Sequence, residues 1–232
     1  MAKKLIRWYN TIIMEKITLS FILIILLSFL FSIYFYPKIP ERMATHWNAK
    51  GEVDSYLPKA IGIFIIPFSL IPIFIIFYLI PKIDPLKKNI ECFRKYYDIF
   101  AILFFLFMLS FHIWIILWNV GITINPQVFL PIAFSFLFFY LSILLENAKR
   151  NWFVGIRTPW TLSSEKVWKN THKLGGKLFR IVAILSFIGI FFGKYSWFFI
   201  LVPVILISIY LILYSYFEYE REIRAKKKFS KN

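Results

Sequence analysis

Apolar positions along this chain run in long uninterrupted blocks, not at the spacing of an amphipathic helix or a half-buried strand. Residues 17–37, 60–81, 99–145 and 195–217 contain no Asp, Glu, Lys or Arg. A helix needs about 20 apolar residues to cross a hydrocarbon layer of roughly 30 Å, so these are spanning lengths. The third block has 47 residues and is broken at Gly121, Asn125 and Pro126, which predicts two spans, 99–119 and 127–146. A further span is predicted over 178–193, where Arg180 leaves thirteen uncharged residues before Lys194 and both cations can snorkel to opposite interfaces. One helix over 178–217 would be about 60 Å long at about 1.5 Å per residue and would hold Lys194 at its middle. A tight hairpin at Gly193-Lys194 and a last span over 195–217 are the better reading. Pro37 and Pro40 end the first span. Pro67 and Pro72 should each free a carbonyl in the second, predicting a kinked helix whose neighbours satisfy those groups. The predicted fold class is therefore all-α, a polytopic membrane protein of about six transmembrane helices. A two-span region, 1–98, carries an outer loop over 38–59, and a four-span region, 99–232, carries a cytoplasmic loop over 147–177.

Charge orients these spans. The chain is 59% hydrophobic and 21% aromatic, yet has a formal charge of +16. Of its Lys and Arg residues, 23 fall in the N-terminus, 82–95, 147–180 and 221–231, against 5 in the remaining connectors. That asymmetry places both termini in the cytoplasm of a cell-membrane protein. Topology and anionic lipid then account for the charge, and no nucleic acid is expected. Lys3, Lys4, Arg7 and Lys16 precede an apolar run too long for a signal-peptide core, so the first span is expected to be retained, with Trp8 and Tyr9 at the interface. A single cysteine, Cys92, excludes an internal disulfide and a cysteine-based metal motif.

Candidate chemistry lies in the connectors. Loop 38–59 has turn residues Asn48, Gly51, Asp54 and Pro58 and both charge signs, which predicts a structured polar cap. His46, Trp47, Asn48 and Asp54 share one compact turn. As a metal site it offers only His46 and Asp54, with Glu41 or Glu52 needed to complete the set, so neither zinc nor calcium is expected. Residues 82–98 should form a short polar connector that turns helical toward its end. Residues 151–178 are the densest polar stretch. Ser163 or Ser164 can cap a helix that begins at Glu165, four before Lys169. Lys166, Lys169, Lys173, Lys177 and Arg180 form one stripe, with Val167, Trp168, Thr171, Leu174 and Leu178 on another, predicting an interfacial helix that bends into the fifth span at Gly175-Gly176. Trp168 and His172 stand one turn apart. Trp152, Trp160 and Trp168 suit interfacial anchoring, and Arg157 before Thr158-Pro159 presents a planar fork for a carboxylate or phosphate. His112, among aromatic residues of the third span, reads as an interhelical hydrogen bond and not as a proton relay. No hydrolase triad, phosphate-binding loop or zincin motif is present, so neither an enzyme nor a cofactor is expected. The candidate partner-binding residues are Arg157, Trp160, Glu165, Trp168 and His172 within, and His46, Trp47, Asn48 and Asp54 outside.

The run Pro40, His46-Trp47-Asn48, Gly51, Asp54 and Lys59 resembles the small N-terminal domain, of unknown function, of SdpI-type membrane proteins. The run from Asn151 to Leu162, followed by Ser164-Glu165, Val167-Trp168, Thr171-His172 and Gly175-Gly176, resembles the signature of the same family. The resemblance implies a multi-pass protein that gives immunity to a secreted peptide toxin and recruits a cytoplasmic repressor to the membrane. Two other readings stand beside it: a small-molecule transporter with the second span and His112 lining a path, and a membrane enzyme with Glu165 or His172 as base.

Overall fold

The computed structural model describes residues 2–229, with side chains from 15 to 228; the interfacial placement expected for Trp8 and Tyr9 lies outside the described side chains. In chain order the elements are α1 (Ala2–Phe35), the strands β1 (Arg42–Trp47) and β2 (Val53–Pro58), then α2 (Lys59–Gly62), α3 (Ile65–Ile83), α4 (Lys87–Asn119), α5 (Pro126–Asn147), α6 (Pro159–Ser163), α7 (Glu165–Ile188) and α8 (Phe198–Phe229). Among the described residues six helices are long and apolar enough to cross a membrane, as the block pattern requires. Their outward surfaces are apolar: along α8, Phe198, Leu201, Ile205, Ile209 and Leu213 are all exposed. Lipid is the solvent such a surface fits.

The helices form two compact units, Met1–Leu79 with Ala101–Pro126, and Ile80–Phe100 with Gln127–Asn232. In the first, Phe21 packs against Phe74 and Phe105, and Phe77 against Phe104 and Phe105. Pro67 cannot donate to the carbonyl of Ile63 four residues back. The helix breaks at Ile63-Phe64, between α2 and α3, and the Ser32 hydroxyl donates to Ile63 O at 2.9 Å. A neighbouring helix thus satisfies the group that the proline frees. The same hydroxyl lies 3.0 Å from His112 Nε2, which is 3.2 Å from Ser28 O. His112 is therefore the interhelical hydrogen-bonding residue its isolation suggested. α3 runs on through Pro72 without interruption, so the break falls ahead of the prolines and not at each of them.

Loop 38–59 is more ordered than a polar cap. It is an antiparallel hairpin, a two-stranded exception to the all-helical pattern, with an irregular register between Ala44 and Trp47. Met43 and Ala44 pair regularly with Leu57 and Tyr56 ahead of this irregularity and are both buried, so both faces of β1 are covered at this point.

In the second unit the helix after the 82–98 connector begins earlier than its charges suggest, at Lys87, and kinks at Phe93. Asp84 supplies the stop, its Oδ1 accepting from Leu86 N at 2.6 Å. The reversal at Gly193-Lys194 is present: Gly193 has φ +50°, and α8 begins just beyond it.

The expected bend at Gly175-Gly176 is absent, and α7 is one helix from Glu165 to Ile188. The glycines serve packing. A Cβ at Gly175 would lie 2.6 Å from Ile156 Cδ1, and one at Gly176 would lie 2.3 Å from Glu146 Cγ and 2.8 Å from Ser142 O. Only a residue without a side chain lets α7 approach α5 and the loop before α6 this closely. The buried stripe is also rotated from the expected one. Val167, Trp168 and Thr171 are buried, but they continue into His172, Gly175 and Gly176, while Leu174 and Leu178 are only partly covered.

Candidate functional site

The sequence candidates fall into two clusters, one in each unit. In the hairpin, Asn48 builds the turn: its Oδ1 accepts from Lys50 N and Glu52 N, and its Nδ2 donates to Glu52 Oε2. Gly51, at φ +80°, closes it. Trp47 is buried, its ring 4.5 Å from that of Trp114 and 5.4 Å from that of Trp118. Asn119, the last residue of α4, brackets the Ala44 peptide. Its Oδ1 accepts from Ala44 N at 2.7 Å and its Nδ2 donates to Ala44 O at 3.0 Å. The hairpin is thus rooted by Trp47 and Asn119, and its polar tip is left outward. There His46 Nδ1 meets Asp54 Oδ1 at 2.5 Å, with the two side chains 67% and 43% exposed. Among the described residues no group of three or more His, Cys, Asp or Glu is arranged to hold a metal ion.

The second cluster is the loop 148–158 with α6 and the start of α7. Asn151 is fully buried and organises it, with Oδ1 accepting from Phe153 N and Val154 N, and Nδ2 donating to Lys149 O and Val154 O. Asp84 Oδ2 accepts from Trp152 N, and Asn89 Nδ2 donates to Arg150 O, tying the loop to the turn before α4 and to that helix. Neither Asp84 nor Asn89 was singled out from the sequence. The Asp84-Pro85 pair, a turn signal in a connector otherwise rich in Lys, is the mark that could have found the first.

Trp168 and His172 do touch, stacked with ring centroids 3.9 Å apart. Both are buried, and their polar atoms face the loop. Trp168 Nε1 donates to Ala148 O at 2.8 Å. Ile156 N donates to His172 Nε2 at 2.9 Å, which leaves the ring proton on Nδ1, donating to Trp168 O at 2.8 Å. A neutral imidazole with both nitrogens occupied holds backbone in place. Gly155, at φ +113°, passes so close that a Cβ there would lie 2.3 Å from His172 Nε2.

Around this frame the other candidates are disposed unequally. Ser164, not Ser163, caps α7 by accepting from Val167 N, and it also donates to Glu222 Oε2. Thr158 caps α6 in a reciprocal box with Thr161 and meets Ser215 of α8 at 3.0 Å. Trp160 lies edge-on to Tyr216. Glu165 is 74% exposed and reaches Arg150 at 3.6 Å. Arg157 is exposed, with Nη1 donating to Trp152 O at 2.8 Å, beside Trp152, which is half exposed. The rest of its guanidinium fork is therefore presented outward from a rigid turn.

Comparison with known proteins agrees with this division. Residues 147–215 match the SdpI/YfhL protein family, and residues 23–81 match a domain of unknown function, DUF1648. The chain is 29% identical over 212 residues to the immunity protein SdpI of Bacillus subtilis, covering 90% of this chain and 98% of that one. No solved structure matches it significantly. The loop 148–158, α6 and α7 lie inside the stretch similar to the SdpI/YfhL family, and the hairpin lies inside the stretch similar to DUF1648.

Proposed function

We propose that this chain, an SdpI-like integral membrane protein, is an immunity protein that protects its own cell from a secreted peptide toxin and reports the encounter to a cytoplasmic regulator. The observation that carries this reading is the similarity to an immunity protein over nearly the full length of both chains. The proposed topology puts both termini and Arg157 in the cytoplasm and His46 outside, as the 23-to-5 division of cations favours. The work divides along the chain. Residues 1–98 carry the receiving face, with His46 and Asp54 at the tip of the hairpin and Trp47 and Asn48 fixing it. Residues 99–232 carry the responding face, with Arg157 and Glu165 open to a partner, Trp160 half-buried against Tyr216 beside them, and Trp168 and His172 holding the backbone from beneath.

Removal of the gene from its own host tests the immunity directly. In co-culture with the parent strain the deletion strain should be killed, and the intact gene supplied in trans should restore survival. Equal survival of the two strains at all densities refutes the reading. The topology has its own test in a Cys92→Ala background: an impermeant maleimide added to intact cells should label a cysteine at position 46 and not one at position 157. The reverse pattern overturns the orientation.

A further inference from the structure

Between the ends of α5 and α7 lies a cavity of about 450 Å³ whose cationic lining includes Lys149, Arg150, Lys169 and Lys173. Its two carboxylates are already engaged: Glu146 pairs with Arg180 at 2.9 Å, and Glu165 faces Arg150 at 3.6 Å. Among the described residues no carboxylate lies within ion-pair distance of Lys149, Lys169 or Lys173. Three unpaired ammonium groups converging on one concavity are complementary to a phosphate. Further along the same two helices is a second hollow of about 410 Å³, almost purely apolar, formed by Phe136 and Phe139 of α5 and by Ile184 and Phe187 of α7, among others.

The two hollows share a face. Lys169, Lys173, Arg180, Ile184 and Phe187 fall along one side of α7 at helical spacing, as Ser135, Phe139 and Glu146 do on α5. From Lys173 to Ile184 is eleven residues, about 16 Å of helix. Seven of these residues, about 10 Å, run from Lys173 to Arg180 and four, about 6 Å, from Arg180 to Ile184, so the two hollows lie within the reach of a single phospholipid. Between the hollows stands the Arg180–Glu146 pair, and from there to Lys194 no charge occurs on the chain. Arg180 therefore marks the level at which the headgroup region gives way to hydrocarbon. The cationic cavity lies on its polar side and the apolar groove on the other.

We propose that one anionic phospholipid sits along the α5–α7 seam, its phosphate in the cationic cavity and one acyl chain in the apolar groove. The occupant follows from the combination. A soluble phosphate has no use for the groove, a zwitterionic lipid brings a second cation to a cavity already rich in them, and a groove lined by exposed Phe136 and Ile184 on the hydrocarbon side of Arg180 opens to acyl chains.

Cys92, exposed and the single cysteine of the chain, lines the cavity and serves as reporter. The purified full-length protein in detergent is treated with a maleimide in the presence of phosphatidylglycerol, phosphatidylcholine of the same chains, or glycerol phosphate, and retained lipid is counted by native mass spectrometry. Phosphatidylglycerol should slow alkylation by about fivefold relative to phosphatidylcholine, the scale of one lysine–headgroup contact. One lipid should remain per chain. Lys169→Glu combined with Lys173→Glu should abolish protection. Ile184→Trp, a change at an exposed position that fills the groove, should weaken it. Lys177→Glu, on the same cationic stripe but outside the cavity lining, should weaken it less than the double variant does. Equal protection by the two lipids overturns the proposal, as does protection by glycerol phosphate as strong as that by phosphatidylglycerol, which would mark a soluble-anion site. A Lys177→Glu effect as large as that of the double variant overturns it too, by reducing the effect to general surface charge. Elution of every variant as the parent does on size exclusion separates these outcomes from misfolding.

Discussion

The hairpin and the 148–158 loop solve the same problem, holding polar backbone beside a membrane, in opposite ways. The hairpin is rooted at two places, the Trp47 ring between Trp114 and Trp118 and the Asn119 amide on Ala44, with its tip free. The loop is fixed along its length by side chains that each satisfy two or more backbone groups, Asn151 and His172 foremost. A rooted element keeps its position while its tip adapts, whereas a laced element keeps its shape. Under the proposed function, the contrast suits a receiving face that adapts to its peptide and a responding face that presents one fixed fork.

The sharpest way to break the contrast is Gly155→Ala. Left-handed strain and overlap with His172 together should cost roughly 2–4 kcal/mol, a large drop in the thermal midpoint in detergent, since a laced loop cannot relax locally. A midpoint equal to the parent's would show that the loop is as compliant as the hairpin. Asn119→Ala should cost about 1–3 kcal/mol by stranding the Ala44 peptide groups. Here the loss should be local: hydrogen exchange should rise in β1 and its partner strand and stay unchanged in α7, and a global rise would deny that Asn119 acts as a local root of the hairpin.

At Arg157 the expected change is functional. Lysine keeps the charge but cannot reproduce a two-pronged contact, so immunity in Arg157→Lys should fall nearly as far as in Arg157→Ala, at matched membrane levels. The lost bond to Trp152 O accounts for only about 1 kcal/mol of stability, which the thermal midpoint reads separately. Survival of Arg157→Lys at the parent's level, with Arg157→Ala impaired, would make the loop an electrostatic anchor. His46→Ala sits at the bottom of the scale. Its exposed side chain should change stability by no more than about 0.5 kcal/mol, yet toxin protection should weaken. Protection unchanged would remove the hairpin tip from the receiving face.

The spans were legible because a bilayer imposes a length and a polarity on each of them, and Gly193 and the serine cap before Glu165 act through local rules, which left Ser163 and Ser164 as alternatives. The reversal at Gly193 and the contact of Trp168 with His172 follow from spacing alone, whereas the carbonyl behind Pro67 is met by Ser32 of another helix, which no spacing names. The hairpin was less legible because Met43 and Ala44 are buried on both faces of β1 and the register shifts between Ala44 and Trp47, so no alternation of apolar and polar residues marks the strand. Gly175-Gly176 misled for a different reason. Glycine permits both a bend and a close approach, and only the neighbours, Ile156 and Glu146, decide which. Burial of Trp168 and His172 depended in the same way on a loop twenty residues upstream whose path no local pattern specifies.

The unbroken course of α7 carries a mechanical consequence. With 24 residues and no joint at its glycine pair, the helix is a strut of about 36 Å that runs from the apolar groove to the stacked Trp168–His172 pair. Packing along α8, with one close approach to α5 at Gly176, leaves it little room to flex, so an axial push or a twist delivered at the Ile188 end should be passed on to the Ser164 end. There its first turn is latched to α8 through Ser164–Glu222 and Asn170–Glu218, and its fourth residue sits under Ala148. A displacement that a jointed helix would absorb becomes, in this protein, a movement of the whole surface that bears Arg157.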